Sequence, residues 1–270
     1  MRQLDLCNPF NAPVFHEETV GSTMDVSRLL AGQGAAPHGT VVCADFQGAG
    51  KGRIPGRQWN TGRMDSLLFT VLLRFRGVGH IPKALTLRVG LAVALAIEDF
   101  APTLRDRVMV KWPNDIMLPA PGSRPGSQGS VFGKAVGILA EADGGNVHVG
   151  IGVNVTQKEF PPGLQGKATS VALATDAEIE SGRRFVLLEK ILARLRLELE
   201  TADAAETWRK RIEARLYMRG EKACFAEGIA GSAGVLTGTI SGIGLDGELL
   251  IVPDGETGAR AFVSGELRNR

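Results

Sequence analysis

A chain of 270 residues with 44% hydrophobic content can bury one large core and a small second one. Its net charge of +2, from 31 Lys and Arg against 29 Asp and Glu, gives no bulk reason to expect nucleic acid or an anionic membrane as a partner, so cations have to be read locally. Cys7, Cys43 and Cys224 are odd in number and far apart, which writes neither a disulfide framework nor a C-x-x-C metal pair. Residues 1–13 lack the charged-then-apolar pattern of a signal peptide, and the most apolar run, 89–97, is too short to span a bilayer. The expectation is a reduced, cytoplasmic, soluble protein.

In chain order, 14–18 reads as a short strand, and Ser22 or Thr23 caps a helix that reaches Leu30 before Gly32-Gln33-Gly34. A strand over 40–46 enters a glycine-rich loop and a second apolar strand, 66–73, leaves it. Residues 82–100 have helical periodicity, with Pro82 suited to the first turn. A strand over 108–111 runs into Lys111-Trp112-Pro113-Asn114-Asp115, continues through 116–118, and meets a Pro, Gly and Ser-rich loop, 119–130. Strands over 134–142 and 146–155 are joined by Asp143-Gly144-Gly145, a hairpin signal. Amphipathic helices are expected over 183–200 and 204–217, the second with Trp208 and Ile212 inward. From 222 on, short strands (222–227, 234–241, 248–252, 259–263) alternate with Gly and Asp turns, in the manner of a small SH3-like β-barrel. Residues 1–217 and 218–270 are the expected domains. The four histidines, His16, His38, His80 and His148, are isolated and read as satisfied or exposed side chains.

Three stretches suggest chemistry. The loop Asp45 to Trp59 packs four glycines and three cations into fifteen residues with Trp59 at its exit, so backbone N–H groups can approach a ligand while Lys51, Arg53 and Arg57 face an anion. It is neither a Walker A loop, having Asp45 and Gly52 where Gly and Ser or Thr are needed, nor a G-x-G-x-x-G fingerprint, having Arg53 or Pro55 at the third glycine. A solvated surface turn has the same composition. In Lys111 to Asp115, Pro113 holds Trp112 extended so that Lys111 and Asp115 both reach a cleft; Mg²⁺ ligation and an Asx-turn both fit Asp115, and plain core fits Trp112. Lys134 opens an otherwise apolar strand, where a cation needs a partner or solvent.

Taken in order, these parts resemble the biotin protein ligases. The match runs through Ser22-Thr23, Gln47-x-x-Gly50-x-Gly52-Arg53-x-x-Gly56-Arg57-x-Trp59, Lys111-Trp112-Pro113-Asn114-Asp115, Gly133-Lys134-x-x-Gly137-Ile138-Leu139-x-Glu141, Gly150-x-Gly152-x-Asn154 and Ala168-Thr169-Ser170. It covers essentially the whole chain. The resemblance implies an α+β fold: a mixed, largely antiparallel sheet with packed helices, like a class II synthetase, plus the C-terminal barrel. It implies a two-step reaction in which biotin and MgATP give biotinyl-5′-adenylate, and a lysine of a biotin carboxyl carrier domain of acetyl-CoA carboxylase or a related carboxylase then takes the biotin. By that analogy Ser22, Thr23, Gln47, Gly50 and Lys51 hold the biotin head group, with Gly137 and Leu139 along its ring and tail. Arg53 and Arg57 close over carboxylate and phosphates, and Lys134 bridges the carboxylate and the α-phosphate. Lys111 serves the triphosphate, Asp115 holds Mg²⁺, Trp59 stacks on adenine, and Asn114 and Asn154 lie near the nucleotide.

The chain departs from the family pattern at Met24, where Asn usually follows Ser-Thr, at Lys51 in place of Arg, and at Ile54-Pro55, which adds a residue to the loop. The start of the first strand at residue 14 points to the type without a DNA-binding domain, hence no DNA partner, and the lack of a long apolar run points to no membrane. A homodimer through a sheet edge and a monomer both fit. The neighbouring lipoate or octanoate ligases share the logic but not Lys-Trp-Pro-Asn-Asp followed by Gly-Lys-x-x-Gly-Ile-Leu. A non-catalytic biotin or nucleotide binder has no need of Arg53, Arg57, Lys111, Asp115 and Lys134 together.

Overall fold

Strand alternation divides the main sheet into an apolar face and a glycine-bearing face. A computed structural model of the chain describes residues 1–54, 56, 59, 62–123, 131–200, 207–228 and 232–268. The elements run β1 (Arg2–Leu4), β2 (Val14–Val20), α1 (Thr23–Gly32), β3 (Val41–Gln47), β4 (Ser66–Arg74), α2 (Leu85–Phe100), β5 (Met109–Lys111), β6 (Asp115–Pro119), β7 (Phe132–Asp143) and β8 (Asn146–Asn154). Then follow α3 (Val171–Thr175), α4 (Arg184–Glu200), α5 (Thr207–Glu213), β9 (Lys222–Glu227), β10 (Gly234–Ile243), β11 (Leu249–Pro253), β12 (Arg260–Phe262) and β13 (Gly265–Arg268). The first eight strands form one sheet in the order β1-β2-β3-β4-β8-β7-β6-β5, and the last five a second in the order β12-β11-β10-β9-β13. β2 and β3 run parallel and the other neighbours in the large sheet antiparallel. This is the α+β architecture the sequence implies.

On one face, every second residue of β4 (Leu67, Phe69, Val71, Leu73) and β8 (Val147, Val149, Ile151, Val153) joins Val89, Leu91, Val93 and Ile97 of α2 and Leu187, Ile191 and Leu195 of α4 in a single core. α2 is buried nearly all round, which explains its lack of a polar stripe. Charge enters between the helices at Glu198 of α4, 3% exposed, which receives Arg88 of α2 (Nε to Oε1, 3.3 Å) and Arg211 of α5 (Nη1 to Oε2, 2.7 Å). One carboxylate thereby ties three helices.

Three details differ from the sequence reading. α2 opens at Leu85 rather than at Pro82, because Ala84 adopts a left-handed conformation (φ 52°) that a helix cannot pass through. The helix expected over 204–217 spans Thr207–Glu213; residues 201–206 lie outside the described ones, and Trp208 and Ile212 do face inward. β1, β13 and α3, at three to five residues, are too short to show a period and escape the sequence reading. Most of the loop over 119–130 also lies outside the described residues.

Glu198→Ala removes the carboxylate shared by two guanidiniums and is expected to lower unfolding free energy by about 3–5 kcal/mol. The urea midpoint at constant m-value reads it.

Candidate functional site

The other face of the large sheet is covered toward β3 and β4 by α1, whose Leu30 packs with Val42 and Leu72, and is open at β7 and β8, where Gly137, Gly150 and Gly152 stand. A Cβ on Gly150 of β8 would lie 2.9 Å from Met24 Sδ of α1; one on Gly152 would lie 2.6 Å from the Trp59 ring, and one on Gly137 of β7 2.7 Å from it. Strand residues that show valine or isoleucine to the core thus show no side chain here, and the vacated space takes Met24, Trp59 and two adjoining cavities.

The smaller cavity, about 70 Å³, ends at the start of α1. Ser22 caps that helix, its hydroxyl accepting from Met24 N at 3.3 Å. Thr23 donates its backbone N–H to Gln47 Oε1 at 2.8 Å and its hydroxyl lies 3.0 Å from the same oxygen. Gly137, Leu139 and Gly150 complete the wall, together with Lys51, which is held at 2.5 Å by Asp25. Met24 adds a thioether to a wall that also carries Arg53, Asn114 and Lys134.

The second cavity, about 720 Å³, is cationic: Arg53, Lys111, Lys134, Lys167 and Arg268 line it with one carboxylate, Asp115. β5 and β6 form a hairpin in which Lys111 and Asp115 are directly paired, so both side chains leave the same face. Lys134 Nζ meets Asp115 Oδ1 at 2.6 Å and stands 5.5 Å from the Trp59 ring centroid. Burial, helped by the neighbouring Lys134 charge, lowers the Lys111 pKa, against the opposing pull of Asp115 and Glu266. Among the described residues no group of three or more His, Cys, Asp or Glu could hold a metal ion; Asp115 is a single carboxylate in a pocket of cations.

Backbone contacts account for the motifs' joint occurrence. Gly133 has no side chain because a Cβ would lie 2.9 Å from Ala168 C; this closeness lets Lys134 N–H donate to Lys167 O (2.8 Å) and Thr169 N–H to Lys134 O (3.0 Å). Asn114 Nδ2 donates to Ile138 O at 2.8 Å and its backbone carbonyl accepts Ile138 N–H at 2.9 Å, pinning the hairpin tip to β7. Asn154 Nδ2 donates to Thr169 O at 3.0 Å.

The loop between the cavities is tied at its neck and crown. Met64 N–H donates to Asp45 O at 3.1 Å, and Arg184 bonds both the Asp45 carboxylate and Met64 O, while His16 Nε2 lies 2.8 Å from Asp45 Oδ1. Gly50 must be glycine, because Trp59 O would lie 2.5 Å from its Cβ. Arg53 donates to Gly265 O of β13 at 2.8 Å, and Trp112 Nε1 to Gly247 O at 2.9 Å, with its ring 6.0 Å from Phe225. Trp112 is core, as read, and its indole N–H also anchors the C-terminal sheet.

Of the residues singled out by sequence, Ser22, Thr23, Gln47, Lys51, Arg53, Trp59, Asn114, Lys134, Gly137 and Leu139 line the small cavity, and Lys111, Asp115 and Asn154 line the large one, which Arg53, Trp59, Asn114 and Lys134 also border. Gly50 sits behind Trp59, and Arg57 lies outside the described residues. Sequence reading missed Lys167 and Arg268 in the large cavity; the only signal for Lys167 was its place before Ala168-Thr169-Ser170. His16 and His148, buried against Asp45 and Ser27, are satisfied as expected.

No protein-family model matches the chain. It is 32% identical over 174 residues to the bifunctional ligase/repressor BirA of Bacillus spizizenii, a match that takes in 62% of this chain and 48% of that protein, about half its length. Over 208 residues it is 31% identical to the biotin–[acetyl-CoA-carboxylase] ligase of Paracoccus denitrificans, covering 73% of this chain and 79% of the other. Its fold is similar to that of a biotin protein ligase from Aquifex aeolicus solved in complex with biotin and ATP, with TM-score 0.74 and 27% identity over 94% of this chain and 97% of that one.

Gly152→Val places a branched side chain where the Trp59 ring lies. The ring is expected to be displaced toward water, shifting its tryptophan emission to the red; Trp112 and Trp208, 3% and 5% exposed, supply a constant buried background. Unchanged emission would contradict the packing.

Proposed function

The chain belongs to the biotin protein ligase family, and from that premise we propose that it activates biotin with ATP and passes it to a lysine of a biotin carboxyl carrier domain. The observation that supports this best is that Lys134 borders both cavities, one small and walled in part by Ser22, Thr23 and Gln47, the other large and cationic. A compact acid lying in the first would present its carboxylate to a nucleotide lying in the second.

In the first step a biotin carboxylate oxygen attacks the α-phosphorus and pyrophosphate leaves. Ser22, Thr23 and Gln47 hold the ring head, with Lys51 and Gly50 beside it, and Gly137 and Leu139 flank the ring and tail. Lys134 faces carboxylate and α-phosphate together, which removes the repulsion between two anions that must approach in line. Arg53 and Arg57 close the loop over them, and Lys111 takes a share of the triphosphate charge, joined by Lys167 and Arg268. Trp59 gives adenine an aromatic face, and Asn114 and Asn154 hold the backbone beneath it. In the second step the carrier lysine amine attacks the mixed anhydride and AMP leaves. The protein needs no covalent intermediate, because position and charge neutralisation lower the barrier.

Mg²⁺ fits this donor set. Asp115, a single carboxylate beside the space a triphosphate would occupy, would hold the ion. When bound it would neutralise phosphate charge. We further assign the catalytic unit to residues 1–217, with 218–270 as a barrel that docks on Trp112 and Arg53, and a cytoplasmic setting. Cys7, Cys43 and Cys224 are free, and no helix among the described residues is long and apolar enough to cross a membrane.

ATP–pyrophosphate exchange dependent on biotin and Mg²⁺ tests the reading, with lipoate and octanoate as competing acids; exchange with either of those instead of biotin would overturn it. Lys134→Ala is expected to lower exchange by about a hundredfold or more with an unchanged melting temperature, since Lys134 faces solvent-accessible space. Because burial lowers the Lys111 pKa, its charge is lost as pH rises through a value below the ordinary ~10.4 of lysine. The alkaline limb of kcat/KM for ATP is therefore expected below that range, and Lys111→Arg is expected to move it upward.

A further inference from the structure

Thr70 of β4 is fully buried, and its hydroxyl oxygen lies 2.8 Å from that of Thr23. Which oxygen donates follows from counting protons. The Thr23 backbone N–H can only donate, and at 2.8 Å it points at one end of the Gln47 amide; that end must be the carbonyl oxygen, so the amide nitrogen faces the other way. The same Oε1 lies 3.0 Å from Thr23 Oγ1, and in that oxygen–oxygen contact only the threonine has a proton to give. With the Thr23 proton so used, the contact with Thr70 runs from the Thr70 hydroxyl to Thr23 Oγ1.

The order Thr70 to Thr23 to Gln47 Oε1 gives the end of the small cavity a defined polarity. Gln47 Nε2 is left to donate, and Thr23 Oγ1 keeps one lone pair to accept, since a hydroxyl oxygen has two and Thr70 takes one. We propose that Thr70 is a positioning residue for the first step, holding Thr23 as an acceptor and Gln47 as a donor so that the cavity selects a head group with an N–H beside a carbonyl. This rests on the biotin reading, because a cyclic urea has that pair. Without the Thr70 proton, the Thr23 oxygen loses the donor that fixes its position and leaves a buried lone pair against a methyl group. Buried chains of hydrogen bonds also strengthen one another, so loss of the first member weakens the last.

Thr70→Val keeps the shape and removes the proton. In biotin-dependent exchange it is expected to raise KM for biotin about five- to tenfold, with kcat and KM for ATP within about twofold, and Thr70→Ser is expected to recover most of the loss. In a Thr23→Val background the relay is already broken, so Thr70→Val is expected to add nothing. Equal costs in both backgrounds would mean that Thr70 acts through packing alone, and would overturn the proposal while leaving the biotin reading intact. So would an unchanged KM in Thr70→Val. A wild-type protein that exchanges with octanoate and not biotin would overturn both, since an aliphatic acid carries neither N–H nor carbonyl at its far end. Thermal unfolding of each variant separates loss of fold from loss of affinity.

Discussion

The two-residue period of β8 is the constraint on which the structure depends. Its odd positions, Val147, Val149, Ile151 and Val153, are locked in the core against α2 and α4. The even positions then have no choice of face, and what stands there decides whether the sheet has a site. Gly150 and Gly152 leave room; any larger residue would meet Met24 or Trp59. The rigidity of the packed face sets the depth of the open one, which is how a strand full of core residues also forms the floor of a pocket.

Around this floor the fold gathers charge that local sequence keeps apart. Lys111 and Asp115 are brought level by a hairpin, Lys134 arrives from β7, and Lys167 and Arg268 come from a turn and from β13. Five cations lining one cavity repel one another, and Asp115 relieves this by pairing with Lys134. A polyanion entering the cavity would take over that role. Such a site has its charge in place before the ligand binds, so little reorganisation is left for the chemical step.

The C-terminal sheet is bound to this arrangement at several points. Gly247 O receives the Trp112 indole and Gly265 O receives Arg53, so two residues of the site's own motifs fasten it. The neck of the loop is held from the opposite side by Arg184, Asp45 and His16. A loop rich in glycine, and hence costly to order, is in this way restrained at both ends by elements distant in sequence.

Much of this could be read from the chain alone. Apolar period and turn residues placed the long strands and helices. Side-chain chemistry alone pointed to Lys51, Arg53, Trp59, Lys111, Asp115 and Lys134, and the resemblance to the biotin protein ligases supplied most of the other residues that line the cavities. Short edge elements escaped, since three residues show no period. Tertiary structure alone decided that Ala84 delays α2, that Trp112 anchors the second sheet, that Lys167 and Arg268 join the cationic cavity, and that Thr70 meets Thr23. Each of these depends on which distant backbone lies opposite, and such contacts are set by the packing of whole elements, which no local pattern records.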